Sequence, residues 1–220
     1  MTPDSVQQRI HHDGLVAALR GAFPPEVAVR AAEPLIRNGI TVIELTMNSE
    51  RPLEAMQAVK RAFGDAAAVG MGTVLNADMA ARALDAGADF LVSPALDPGM
   101  MEAARDADVL AIPGVITPSE IVQAMALGAP LLKLFPIGPL GVDYFKALRG
   151  PLDSVPMMAN GGTTDANIGA FIRAGAVACG MGSWLTGDGT WAADTIAQRA
   201  QILVDIIASA RSGTPLSRRV

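Results

Sequence analysis

The chain has 220 residues and a mass of 22.7 kDa, and half of it is apolar but only 4% aromatic, so its core must be built from Ala, Val, Leu, Ile and the 11 Met. A net charge of −5, with no basic cluster beyond the closing SRRV, argues against nucleic acid as a partner. Cys179 alone cannot staple a fold, the start MTPDSVQQRIHHDG lacks the apolar stretch of a signal peptide, and Glu120, Gln123 and Lys133 interrupt the best candidate for a membrane span, so a cytoplasmic location is expected.

Residues 1–13 read as an extra N-terminal helix. After it a phrase recurs: helix-like residues, a glycine, then a short apolar strand. It appears as RNGITVIEL, DAGADFLVS, ALGAPLLKL and RAGAVACGM, with Gly39, Gly87, Gly128 and Gly175 placed where a helix needs a left-handed cap before the chain turns into a strand. Adding the less marked cases gives eight strand candidates, LVAALR, VIELTM, VGMGTVL, FLVSPA, VLAIPG, LLKLFP, PMMANGG and AVACGMG. Their polar ends fall near residues 20, 46, 73, 93, 114, 135, 160 and 181, a regular beat of strand and helix. Continuous apolar strands suit a parallel sheet covered by helices. A doubly wound open sheet competes, but eight regular units favour closure into a single (β/α)8 barrel over residues 1–220. TWAADTIAQRAQILVDIIASA reads as the last outer helix, and no linker or charge block divides the chain.

In such barrels chemistry sits at the C-terminal ends of the strands, and alternation sorts side chains between the interior and the helices. The sixth candidate puts Leu131, Lys133 and Phe135 on one face, and the second puts Val42, Glu44 and Thr46 on one face. The third groups Val69, Met71 and Thr73, and the first ends in Arg20. Only three lysines stand against 14 arginines; Lys60 and Lys146 fall in helical, solvent-facing contexts, which leaves Lys133 as the one strand lysine. A structural Lys133–Glu44 ion pair is the plain explanation, but burying two ions costs several kcal/mol before their attraction offsets it. The functional alternative is a desolvated lysine whose pKa falls, leaving a neutral amine that attacks a carbonyl to form a Schiff base. Glu44 then serves as general acid and base. Arg20 is either a salt bridge at the barrel rim or a clamp for a carboxylate.

A second constellation is NGG after the seventh candidate with GMGSW after the eighth. Gly161 and Gly162 let backbone N–H groups approach an anion, and Gly182 and Ser183 open a short helix, SWLTG. These two loops are the usual phosphate site of a barrel. Metal chemistry is poorly supported, because His11 and His12 are adjacent, precede the barrel and do not share a helix face. Cys179 reads as a small core residue, and the Met pairs at 100–101 and 157–158 as gap-filling core or rim.

Taken together, ALRG, VIELTMNS, GMGTVLN, LVSPALD, IPGVITPSE, LLKLFP, NGGTT and GMGSWL resemble, in order and over nearly the whole chain, the 2-keto-3-deoxy-6-phosphogluconate and 2-keto-3-deoxy-6-phosphogalactonate aldolases. The resemblance implies a class I aldolase with no cofactor, in which Lys133 forms the Schiff base and Glu44 transfers protons. It implies that Arg20, Thr73 and Asn48 bind the pyruvate end and its carboxylate and that Gly161, Gly162, Gly182 and Ser183 bind phosphate. The gluconate branch carries an arginine just after the second strand, where this chain has Asn48. Arg20 with Asn48 and Ser49 fits the galactonate branch, while Asn160 departs from both. The implied reaction is cleavage of 2-keto-3-deoxy-6-phosphogalactonate to pyruvate and glyceraldehyde 3-phosphate by a homotrimer. The gluconate epimer and 4-hydroxy-2-oxoglutarate are the alternative substrates. A cofactor-free sugar-phosphate isomerase or epimerase shares the phosphate loops but has no use for Lys133, and a non-catalytic binder needs neither Lys133 nor Glu44.

Overall fold

The computed structural model describes residues 1–213, so the closing SRRV lies outside the described residues. Helix α1 (Pro3–Asp13) leads into strands β1 (Leu15–Leu19), β2 (Val42–Thr46), β3 (Ala68–Gly72), β4 (Phe90–Val92), β5 (Leu110–Ile112), β6 (Gly114–Val115), β7 (Leu132–Leu134), β8 (Met157–Asn160) and β9 (Ala178–Met181). Between them run α2 (Pro25–Arg37), α3 (Pro52–Phe63), α4 (Ala77–Asp85), α5 (Pro98–Asp106), α6 (Pro118–Ala126), α7 (Gly141–Arg149) and α8 (Asp165–Arg173). The short α9 (Ser183–Thr186) and the long α10 (Ala193–Ser212) follow β9. Proline opens α1, α2, α3, α5 and α6, where its missing N–H costs nothing and its fixed φ suits the first turn. Gly39, Gly87, Gly128 and Gly175 follow α2, α4, α6 and α8 with φ of 82°, 87°, 84° and 98°, the left-handed turn expected of them.

Every strand pairing is parallel, in the order β5-β4-β3-β2-β1-β9-β8-β7-β6. The two strands at the ends of that order, β5 and β6, are separated in sequence by Pro113 alone, so the chain itself joins the ends and the sheet closes as a barrel. The fifth of the eight expected strands is therefore present in two pieces. Proline has no N–H to give the ladder. Its carbonyl still accepts from Lys133 N at 2.9 Å, while Gly114 N reaches across to Ala95 O at 3.2 Å. A Cβ on Gly114 would lie 2.2 Å from the Pro94 carbonyl carbon, so this seam needs glycine.

Alternation divides the apolar side chains between two clusters. Val69 and Met71 pack outward with Leu15, Ile43, Leu132 and the helices. Val16, Val42, Ala68, Phe90, Leu131 and Met158 pack inward. The inner cluster is completed from below by Val6 and Ile10 of α1, both fully buried, each worth roughly 1.5–3 kcal/mol of apolar burial. The extra N-terminal helix is thus the floor of the barrel. Met100, Met101, Met157 and Met158 are all buried, and Cys179 is wholly buried on β9, where burial pushes its thiol pKa far up and keeps it neutral.

Val69 and Met71 do share a face of β3, the one toward the helices, but Thr73 does not continue it. The inward positions of β3 are Ala68, Gly70 and Gly72, and Thr73 leaves the strand with φ of 57°. Lys60 also departs from expectation. It is 30% exposed and its Nζ lies 2.6 Å from Asp89, which is itself buried and accepts from Val69 N at 2.9 Å. That pair ties α3 to the start of β4, a long-range contact that helical periodicity does not reveal.

Candidate active site

The C-terminal ends of β1, β2, β7, β8 and β9 surround a cavity of about 310 Å³. Its walls include Arg20, Glu44, Lys133, Phe135, Asn160, Gly161, Gly162, Thr163, Gly182, Ser183 and Trp184. Seven of the nine residues expected in the site are gathered here: Arg20, Glu44, Lys133, Gly161, Gly162, Gly182 and Ser183. Thr73 and Asn48 do not line this cavity.

Lys133 sits in the middle of β7 and is 4% exposed. Burial is the largest influence on its amine and lowers the pKa; Glu44 opposes that shift and Arg20 adds to it. The Nζ stands 5.1 Å from the centroid of the Phe135 ring, two residues along the same face. Among the described residues Lys133 makes no ion pair within 4.0 Å, so the structural Lys133–Glu44 bridge is not formed. Glu44 is 2% exposed, and its Oε1 is buried without a hydrogen-bond partner. A carboxylate left in that state is costly to folding, since each unsatisfied buried polar atom carries its full desolvation penalty.

Two glycines make room for these groups. A Cβ on Gly72 would lie 1.7 Å from Glu44 Oε1, and a Cβ on Gly180 would lie 1.7 Å from Asn160 Nδ2. Asn160 resembles Glu44 in another respect: it is 4% exposed and its Oδ1 has no partner. At the loop ends, Gly161 and Gly162 adopt φ of 79° and 86°. Their turn is braced from behind, with Gly138 N donating to Gly161 O at 2.7 Å and a Cβ on Gly162 landing 2.8 Å from Gly138 Cα. Thr163 Oγ1 donates to Gly180 O at 2.6 Å and fastens this turn to β9. On the opposite rim Ser49 Oγ accepts from Gly21 N at 3.0 Å and lies 2.8 Å from Thr46 Oγ1, which fixes the segment that carries Arg20.

The arrangement brings one buried amine, one buried carboxyl group, one arginine and two glycine turns to a single cavity. The family model described as the aldolase family of KDPG and KHG aldolases matches residues 6–202. The chain belongs to that family. It is accordingly an aldolase, a carbon–carbon lyase. A relative named KHG/KDPG aldolase, from Escherichia coli (strain K12), is 35% identical over 161 residues, which are 73% of this chain and 75% of that one. A probable 2-dehydro-3-deoxy-6-phosphogalactonate aldolase from Rhizobium meliloti (strain 1021) is 34% identical over 187 residues, 84% of this chain and 87% of that one. A solved structure described as native KDPGal superimposes with a TM-score of 0.86 at 30% identity, covering 90% of this chain and 96% of that chain. Among the described residues no helix is long and apolar enough to cross a membrane, and no group of three or more His, Cys, Asp and Glu is placed to hold a metal ion.

Phe135, Thr163 and Trp184 also line the cavity, although sequence reasoning gave none of them a role. Phe135 was signalled by its position two residues beyond the lysine. Trp184 lay inside the quoted GMGSW, but its direction depends on the turn into α9.

Proposed function

We propose that this aldolase works through a Schiff base on Lys133 and cleaves a phosphorylated 2-keto-3-deoxy sugar acid to pyruvate and glyceraldehyde 3-phosphate. The observation that carries the reading is the amine of Lys133, buried and lowered in pKa, sharing one cavity with a Glu44 carboxyl group that has an unpartnered oxygen. The neutral amine adds to the C2 carbonyl to give a carbinolamine, and loss of water with a proton from Glu44 gives the iminium. The C3–C4 bond then breaks. Its electron pair moves into the iminium to form an enamine, and the C4 hydroxyl gives up its proton as the aldehyde forms. Glu44 takes that proton and returns one to C3, and water releases pyruvate from the lysine. The substrate carboxylate is held by Arg20, whose guanidinium offers paired donors. The phosphate lies against the Gly161–Gly162 turn and the Gly182–Ser183 turn, where backbone N–H groups are free to approach an anion.

The galactonate-configured substrate is the one we favour, because Arg20 lines the cavity and position 48, where the gluconate branch carries an arginine, is Asn, the pattern the sequence resemblance associates with the galactonate branch. The gluconate epimer and 4-hydroxy-2-oxoglutarate are the competing substrates. Incubation with pyruvate and borohydride tests the mechanism: a reduced pyruvyl group should map to Lys133 by peptide mass spectrometry. Labelling at Lys60 or Lys146, or none with active protein, ends the Schiff-base reading. Parallel assays with the two C4-epimeric phosphorylated keto-acids decide the substrate.

A further inference from the structure

We propose that Arg199 of α10 is a positioning residue for the phosphate end of the cavity and acts through Trp184; the inference rests on the phosphate placement given above. The Arg199 guanidinium carbon stands 4.8 Å from the Trp184 ring centroid and 4.2 Å from that of Trp191, so the cation lies against both indoles. Its Nη1 also donates to the Trp184 carbonyl oxygen. Arg199 does not itself line the cavity, but Trp184 does.

The turn that Trp184 follows is held on its other side by a separate tether. Thr186 Oγ1 donates to Ala18 O of β1 at 2.9 Å, and the N–H groups of Leu185 and Thr186 both return to Gly182 O. Trp191 is fixed in turn, because its indole presses on Gly187, where a Cβ would meet the ring at 2.5 Å. The Gly182–Ser183 turn is therefore clamped between β1 and α10, and Arg199 is the α10 side of the clamp. Removing it frees the Trp184 wall and lets the turn drift from the place where a phosphate is bound. Among the described residues no hydrogen bond or ion pair joins Lys133, Glu44 or Arg20 to this clamp. The predicted signature is a defect confined to phosphorylated ligands.

Arg199→Met keeps the length of the side chain while removing its charge and its donors, and Arg199→Lys restores charge without the planar face. For Arg199→Met, KM for the phosphorylated keto-acid should rise roughly 5–30-fold, about what two half-buried cation–π contacts and one hydrogen bond supply. Its kcat, and methyl-proton exchange of pyruvate, should stay within about twofold, and Arg199→Lys should fall between. Trp184 and Trp191 are the only tryptophans of the sequence, so emission excited beyond the absorption of Tyr144 reports on this stack alone. Titration of the wild type with inorganic phosphate should alter the emission, with the midpoint moved to higher concentration in Arg199→Met. An unchanged KM and midpoint overturns the proposal. So does a parallel loss of pyruvate exchange and thermal stability, which marks Arg199 as a brace for the whole fold. Failure of the underlying reading looks different: the wild type itself would then show no preference for phosphorylated over unphosphorylated keto-acids.

Discussion

Replacing Gly72 by alanine separates stability from chemistry in this barrel. Gly72 has no positive φ to protect, so the backbone accepts alanine, and the three atoms nearest the new methyl group all belong to the Glu44 side chain. The Cβ would lie 1.7 Å from Oε1, 2.4 Å from Cδ and 2.6 Å from Cγ, all inside the 3.0 Å that real Cβ atoms respect. The carboxylate must withdraw by more than an ångström. A flexible side chain can do this, so the cost in stability should be modest, about 1–2 kcal/mol. A displacement of that size at a proton-transferring group costs far more in rate, on the order of 10²-fold. The assay is deuterium exchange at the pyruvate methyl group, run beside thermal denaturation. Gly70→Ala is the control, because its Cβ would strike the Phe90 carbonyl oxygen at 2.4 Å and the ring at 2.5 Å, and backbone cannot step aside. That variant should lose more stability than Gly72→Ala. Exchange at the wild-type rate in folded Gly72→Ala would refute the placement of Glu44 as the proton-transfer group.

Glu44→Gln keeps the shape of the side chain but removes the base, and methyl exchange should fall by roughly 10²–10⁴-fold while borohydride trapping survives at a reduced rate. Arg20→Lys should weaken pyruvate binding, measured by titration, because a point charge cannot make the paired contact with a carboxylate; unchanged affinity would count against the carboxylate clamp. The lowered pKa of Lys133 sets the pH dependence: the rate of pyruvate trapping should rise with pH through a value below the usual lysine range, then level off. The sign for stability follows from proton counts. Between its folded and unfolded pKa values the lysine binds fewer protons in the folded chain, so its cost to folding is full at lower pH and is relieved as pH rises through that window. Lys133→Met should therefore remove this rise from the pH–stability curve.

Much of this was legible in the sequence because barrels repeat. The cadence of glycine and apolar run located every strand, and charges on apolar-faced strands singled out Lys133 and Glu44. The split of the fifth strand was written in Pro113, whose missing N–H interrupts the ladder, but which edge each half would join depends on closure of the whole sheet. Thr73 was grouped with Val69 and Met71 because alternation was carried one residue past the end of β3, where the chain turns to φ of 57°. Lys60 was misread because Asp89, its partner, lies 29 residues away on the next unit. Arg199 looked like ordinary surface charge on an outer helix, and nothing in α10 alone announces two indoles above it. The clearance given by Gly72 and Gly180 was equally hidden, since it depends on register between neighbouring strands.

Register explains how this barrel keeps polar groups inside an apolar shell. Asn160 pairs with Gly180 directly across β8 and β9. Glu44 pairs with Gly70, yet the atom it would meet belongs to Gly72, the register partner of Thr46. The Glu44 side chain thus leans along β2 toward the open end, as strand side chains do. Each long polar group occupies volume that a neighbouring strand has left by omitting a side chain. Beneath them Val6 and Ile10 of α1 close the floor, so the amine is dewatered from below and reached only from above. Burial within this closed interior lowers the basicity of Lys133, and in the proposed mechanism that lowering, set by residues that never touch a substrate, prepares the amine for attack on a carbonyl.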